Sequence, residues 1–179
     1  MNLYLENEEL EAMMKEPSAG KQIGIVRLCM VKEERTLYGM EQLSSPEEAV
    51  EIVSPLFATA DREMMVVLSM TTKMEPLALE IAAVGGINTC MVDIRNLFKH
   101  SLLNNAAGIL CFHNHPSGNP EPSKEDCEIT KRICNAGQIL GIELIDHIII
   151  GDQDFYSFRE HGKIESAVSA SMIGSNQNL

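Results

Sequence analysis

The stretch from residue 107 to residue 126 constrains the fold of this chain more than any other, because a strand, a turn and a helix start follow one another directly. The apolar run 107–112 predicts a buried strand. The sequence HNHPSG at 113–118 then indicates a turn, since Pro and Gly favour one. The sequence SKED at 123–126 is typical of a helix N-terminus, with Ser123 as the cap and acidic residues in the first turn.

Two histidines in this stretch share the same strand parity. Because side chains alternate between the faces of a strand, His113 and His115 point to the same side. Asp126, on the first turn of the following helix, can reach back towards them. Two imidazoles and one carboxylate leave the fourth position of a tetrahedral zinc ion open, as in a catalytic zinc site. Histidines that make structural hydrogen bonds are the alternative interpretation.

The whole string is more specific than its parts. HNHP followed by Ser123 and Asp126 resembles the JAMM metalloprotease motif, a His-x-His-Pro pair followed by Ser-x-x-Asp, and in particular its RadC branch. The resemblance continues through residues 145–151 and 157–162 and covers roughly residues 60–162. It implies a deaminase-like JAMM fold. The order of the predicted elements agrees, because strands and helices alternate without a simple βαβ repeat. The predicted fold class is therefore α/β, a three-layer α/β sandwich on a mixed sheet.

The resemblance also implies an activity, that of a zinc metallopeptidase or isopeptidase of JAMM type, which hydrolyses amide bonds. By resemblance, the ligands of Zn²⁺ are His113, His115 and Asp126, and a water takes the fourth place. Ser123 matches the motif serine, which donates a hydrogen bond to the developing oxyanion.

Glu63 is the acid–base candidate that the resemblance implies. It lies in an Arg-Glu pair directly before the apolar run 64–68, where the RadC pattern places the carboxylate that works on the zinc-bound water. A solvated charge at a strand edge is the alternative. Spacing alone does not bring Glu63 to His113, because fifty residues intervene, and Glu75 and Glu80 remain substitutes for the role.

Two other function classes stay open. The RadC name carries a DNA-repair or nuclease-like role, and JAMM-like domains that lack the ligands serve as non-catalytic interaction modules. Family members often carry a helix-hairpin-helix module before the catalytic domain, and we expect none here. Deamination is set aside, because a zinc deaminase needs a glutamate two residues after its zinc histidine and a Pro-Cys-x-x-Cys sequence. This chain has His115 at that place and no Cys-x-x-Cys pair.

The charge of the chain bears on its partners. With 26 acidic and 14 basic residues, its net charge of -12 offers no general attraction to nucleic-acid phosphates. Its five cysteines, an odd number without a Cys-x-x-Cys pair, indicate a reducing cytoplasm rather than a disulfide framework. No apolar run of membrane-spanning length occurs. We therefore expect a cytoplasmic protein that acts on a protein, peptide or isopeptide-linked substrate and binds neither nucleic acid nor a membrane.

Three segments are predicted along the chain. Residues 1–44 form an acidic segment with a β-hairpin at 22–39, residues 45–165 the catalytic domain, and residues 166–179 a disordered tail. Within the domain, the predicted elements are a helix from Ser45 to near Thr59, strands at 64–68, 77–84, 142–150 and 155–158, a helix capped at Asn88-Thr89, and a helix that Gly141 ends.

Three further side chains carry specific expectations. Cys111 shares strand parity with the two histidines, yet a buried apolar thiol is the expected state. His100 lies off the apolar stripe of its helix, so the pattern predicts that it is exposed. His147 is expected either to support the metal site from behind or to make a structural hydrogen bond at the edge of the sheet.

Overall fold

A computed structural model describes residues 42–85 and 92–164 of the chain. Within these ranges the helices are α1 (Pro46–Phe57), α2 (Ile94–Leu103) and α3 (Lys124–Leu140). The strands are β1 (Met64–Met70), β2 (Pro76–Val84), β3 (Gly108–Asn114), β4 (Glu143–Ile150) and β5 (Phe155–Ser157). The predicted hairpin at 22–39, the predicted cap at Asn88-Thr89 and the predicted tail at 166–179 lie outside the described residues.

The helices begin and end where local chemistry stabilises their termini. Ser45 caps α1, and its side chain accepts a hydrogen bond from the backbone of Glu48. Asp93 caps α2. Helix α3 ends at Gly141, whose φ of 70° is the left-handed conformation that favours glycine. None of the helices in the described ranges is long and apolar enough to cross a membrane.

The strands form one sheet in the order β2-β1-β3-β4-β5. Strands β3 and β4 pair in parallel, and the other neighbours pair antiparallel, so the sheet is mixed. The whole of β3 is buried, because it lies in the middle of the sheet with helices on both sides. The buried strand predicted from the apolar run before the histidines is therefore confirmed.

Helices cover both faces of the sheet. On one face, Val53 and Phe57 of α1 pack against side chains from β1, β3 and β4. On the other, Leu97 and Phe98 of α2 and Ile133 of α3 form a second core cluster. Burial of each large apolar side chain contributes about 1.5–3 kcal/mol, so both layers are held by apolar packing. This arrangement confirms the predicted three-layer α/β sandwich on a mixed sheet.

The prediction that His100 is exposed was wrong. The residue is only 8% exposed, and its side chain lies between α2 and the sheet. Its Nε2 lies 2.9 Å from Ser69 Oγ on β1, and its Nδ1 lies 2.7 Å from Glu80 Oε2 on β2. A polar ring can be buried when polar side chains surround it, here the Ser69 hydroxyl beside Nε2 and the Glu80 carboxylate beside Nδ1. These partners are on strands, and the periodicity of the helix does not reveal them.

Candidate metal centre

The three predicted ligands converge where β3 ends and α3 begins. Nε2 of His113 and Nε2 of His115 lie 3.0 Å apart. Asp126 places Oδ1 at 3.3 Å from His113 Nε2 and Oδ2 at 3.5 Å from His115 Nε2. A tetrahedral zinc ion with bonds of about 2.0–2.1 Å holds its ligand atoms about 3.3 Å apart. The spacing of these side chains therefore fits one metal ion.

His115 keeps the strand direction although β3 ends one residue before it. Its backbone N–H donates to the carbonyl of Ile150, at 2.9 Å, which extends the parallel pairing of β3 with β4. Because the backbone stays extended through this residue, His113 and His115 remain on the same face of the sheet. The parity argument from the sequence thus describes the observed placement of both rings.

Asp126 is held in place by the cap of α3. Its backbone N–H donates to Ser123 Oγ, while its Oδ2 accepts from the backbone N–H and the hydroxyl of Ser123, at 2.7 and 2.6 Å. Burial opposes ionisation, but hydrogen bonds from His113, His115 and Ser123 outweigh it and hold the pKa of the Asp126 carboxyl well below its usual range. The group is therefore an anion that faces the two histidines.

The tautomer of His113 follows from a chain of hydrogen bonds behind it. The Thr130 hydroxyl donates to the carbonyl oxygen of Asp126, at 2.6 Å, because a carbonyl can only accept. His147 Nδ1 lies 2.7 Å from Thr130 Oγ1 and must donate to it. Burial holds the pKa of His147 well below its ordinary value, so the ring is neutral and its Nε2 accepts. His113 Nδ1, at 2.9 Å from that atom, is then the donor, so Nε2 is the atom of the neutral His113 ring that can bind a metal.

The turn after β3 fixes the tautomer of the second histidine, also through a hydrogen bond at Nδ1. His115 Nδ1 donates to the carbonyl of Asn119, at 2.7 Å, so its Nε2 is the atom that can bind a metal when the ring is neutral. The turn itself packs on the β4–β5 connection, where the backbone N–H of Asp152 donates to the Gly118 carbonyl. Gly118 has a φ of 81°, and a Cβ at this position would lie 2.5 Å from Asp152 Oδ2. The turn is therefore a rigid rim beside the two imidazoles.

The ring of His147 is supported from the end of the chain's last described strand. Phe158 stacks on it, with ring centroids 5.0 Å apart and planes at 10°. The backbone N–H of Phe158 also donates to the His147 carbonyl. Asp146 holds this segment by accepting hydrogen bonds from the Ser157 hydroxyl and the Arg159 backbone. Residues 157–159 therefore act on the centre indirectly, through the position of His147.

Glu63 lies beside the centre because β1 and β3 pair antiparallel. Met65 is the partner of His113, and the same register extended by two residues places Glu63 opposite His115 on the same face. A hydrogen bond with Asp126 is the main cause that raises the pKa of His115, and the negative charge of Glu63 adds to it. The fold thus brings a half-buried carboxylate from fifty residues away to the two histidines.

Three other candidate residues do not reach the centre. Glu75 lies in the β1–β2 turn and accepts from Thr71, at the end of β1 away from the histidines. Glu80 pairs with the ring of His100. Cys111 is fully buried, and burial raises the pKa of its thiol, so the predicted buried thiol is confirmed.

Comparison with known proteins places the chain among its relatives. The model of a family described as the RadC-like JAB domain matches residues 43–163. The chain belongs to this family. Similar proteins include UPF0758 proteins of Shouchella clausii, 45% identical over 120 residues (67% of this chain, 52% of the relative), and of Bacillus cereus, 43% identical over 122 residues (68% and 54%). Another, from Listeria monocytogenes, is 41% identical over 143 residues (80% and 60%). The chain spans about half the length of the curated relatives it matches, and their names state no activity.

Two contributors to the centre of this RadC-like JAB domain were missed from the sequence. Thr130 fixes the tautomer of His147, and its spacing of four residues from Asp126 on α3 was a usable signal, because such residues share a helix face. The carbonyl of Asn119 fixes His115, but every residue carries a carbonyl. No sequence signal could have identified that contact.

Replacing Thr130 with valine should lower the affinity for zinc or cobalt(II) by about 10–100-fold, as changes outside the ligand shell typically do. Without the hydroxyl, His147 can adopt the other tautomer and donate to His113 Nδ1, which places a proton on His113 Nε2. Competition titration with a chelator measures the affinity. Ser69→Ala is the matched control, because it removes a buried hydroxyl from the separate His100 cluster. An unchanged affinity in Thr130→Val would contradict the assigned tautomer.

Proposed function

We propose that this RadC-like JAB domain is a zinc-dependent hydrolase of amide bonds, a JAMM-type metallopeptidase or isopeptidase. The observation that carries the proposal is the convergence of Nε2 of His113 and Nε2 of His115 with the ionised carboxylate of Asp126. Nitrogen and carboxylate donors of this number suit zinc in a catalytic site, where three protein ligands leave one position open. A bound zinc ion would lower the pKa of a water ligand from about 15.7 to about 7 and polarise a carbonyl group.

The protein's own groups have distinct roles in this reaction. Glu63 accepts a proton from the attacking water and returns it to the leaving nitrogen. The hydroxyl hydrogen of Ser123 binds Asp126 Oδ2 in the structure. It becomes the oxyanion donor by turning from that carboxylate to the developing charge, while the Asp126 N–H keeps the Ser123 oxygen in place. Loss of one oxyanion donor typically costs about 2.7–4 kcal/mol of barrier.

Amide hydrolysis suits the site better than phosphodiester hydrolysis. Among the described residues, one cluster of His, Cys, Asp and Glu side chains could hold a metal ion, and it contains a single carboxylate. Enzymes that cleave phosphodiesters with two metals use a pair of ions about 3.5–4 Å apart. The net charge of -12 also opposes binding of a nucleic-acid backbone. These properties weigh against a DNA-repair or nuclease-like role, and the complete ligand set weighs against a non-catalytic interaction module.

The shape of the site favours a protein or isopeptide-linked substrate. The turn from Ser117 to Pro122 is held against the β4–β5 connection and forms a rigid rim rather than a closing lid. A small substrate would have little to enclose it there. An extended segment of a protein substrate could instead be held by surfaces outside the metal ligands, for example along a sheet edge, without a lid that closes over it.

Zinc-loaded wild type should cleave members of a peptide and isopeptide library. The activity of Asp126→Ala should be more than about 100-fold lower, a larger loss than changes to residues behind the ligands typically cause. The same proteins are assayed on a chromogenic phosphodiester. Glu125→Ala is the matched control, because this exposed carboxylate lies on the same turn of α3 and should keep zinc and activity. Metal-dependent phosphodiester cleavage without amide cleavage would overturn the proposed function.

A further inference from the structure

Asn114 lies between the two histidines in sequence, but its side chain forms hydrogen bonds with the backbone at the start of β1. The residue is 6% exposed, and its side chain crosses from β3 to the segment that precedes β1. Its Oδ1 accepts from the backbone N–H of Met64, at 2.8 Å, and its Nδ2 donates to the backbone carbonyl of Arg62, at 3.1 Å. The two hydrogen bonds bracket Glu63 on both sides, from a residue fifty positions away in sequence.

The partners fix which way the amide points. The Met64 N–H can only donate and the Arg62 carbonyl can only accept, so the oxygen and nitrogen of Asn114 are assigned without ambiguity. One acceptor and one donor on a short side chain are needed to satisfy both groups. A third hydrogen bond, from the Gly85 N–H to the Glu63 carbonyl at 2.8 Å, completes the restraint on this short backbone segment.

These bonds are made where the backbone pairing of β1 with β3 stops. The last paired residues towards the centre are Met65 and His113. Beyond them, the residues before β1 include the exposed Asp61 and Arg62, which form a bend. Because main-chain pairing to β3 stops there, the Asn114 amide links the Glu63 segment to β3, whereas the Gly85 N–H ties it to the end of β2. Catalytic groups lose much of their effect when they are misplaced by about 1 Å.

We infer that Asn114 is a positioning residue, which holds the backbone of Glu63 at the distance from the His113, His115 and Asp126 centre that proton transfer requires. The inference rests on the proposed function for the role of Glu63, and it assigns Asn114 no contact with substrate or metal. The segment around Asn114 thus contributes twice to the site. The residues on either side of Asn114 supply the two imidazoles, and its amide positions the segment before β1 that carries the carboxylate.

The test is a double-mutant cycle on the cobalt(II)-loaded protein, with Glu63→Gln, Asn114→Ala and the double variant. The readout is the pH midpoint of the visible absorption, which responds to ionisation next to the ion and needs no substrate. We expect Asn114→Ala to move the midpoint in the same direction as Glu63→Gln and by at least half as much, with cobalt affinity within a few-fold of wild type. In the double variant, the midpoint should equal that of Glu63→Gln alone.

Two controls separate positioning from general destabilisation. Ser101→Ala removes a buried hydrogen bond to Ser69 at the other end of β1, and should leave the midpoint unchanged. If Asn114→Ala does not fold, Asn114→Ser takes its place, since its shorter side chain has one oxygen where the amide uses two separate atoms to reach both backbone groups. It should give a smaller shift in the same direction.

The outcomes separate the role of Asn114 from the role of Glu63. A shift in Glu63→Gln without a shift in the Asn114 variant overturns the inference and leaves the proposed function standing. Additive shifts in the double variant overturn it as well, because Asn114 would then act independently of Glu63. Wild type that fails to bind cobalt, or a midpoint that ignores Glu63→Gln, overturns the role of Glu63 together with the inference.

Discussion

Replacing His113 and His115 together with alanine should abolish stoichiometric zinc binding. Zinc sites with four protein ligands bind with about 10–16 kcal/mol, so each ligand contributes about 2.5–4 kcal/mol. Loss of two ligands should therefore weaken the affinity by at least about 10³-fold. The expected result is one zinc ion per wild-type chain after dialysis and almost none per variant chain, measured by metal analysis.

The matched control for this experiment is His161→Ala. His161 is exposed, stacks on Tyr156 and donates a hydrogen bond from Nδ1 to the carbonyl of Ser157. It is not one of the three clustered ligands. This variant should keep its zinc. Equal zinc contents in wild type and the double variant would show that the ion is held elsewhere.

The same double variant should remain folded. The two core clusters lie on opposite faces of the sheet and consist of apolar side chains that do not depend on the metal. Zinc should therefore add only part of the stability of the wild type, by its preference for the folded state.

Replacing Glu63 with glutamine should leave zinc bound and reduce hydrolysis by about 10²–10⁴-fold, the usual contribution of a general base. Glutamine keeps the shape of the side chain but cannot accept a proton from water. Zinc content and the turnover of a substrate found in the library screen are measured on the same preparation.

Glu75→Gln and Glu80→Gln are the controls, because both carboxylates lie away from the centre. Glu75 accepts a hydrogen bond from Thr71, and Glu80 lies against His100. Both should keep full activity. An active Glu63→Gln would return the acid–base role to another carboxylate, and a variant that loses zinc would make Glu63 a ligand instead.

Local sequence determined the parts of the centre that are adjacent in the chain. The apolar run, the HNHP sequence and the Ser123 cap predicted a buried strand, two imidazoles on one face and a helix that begins with a carboxylate pointing back. These features depend on strand alternation and helix capping, which act over a few residues, so they can be derived without the fold.

Only the tertiary structure decided which distant residues join that centre. Antiparallel pairing of β1 with β3 brings Glu63 beside His115, and parallel pairing of β3 with β4 brings His147 behind His113. The same packing buries His100 against Ser69, where its own helix predicted exposure. Strand order and register depend on contacts between segments far apart in sequence. The local pattern around each residue does not contain those contacts, so the placement of Glu63 beside His115 and the tautomer of His113 are decided only in the assembled sheet.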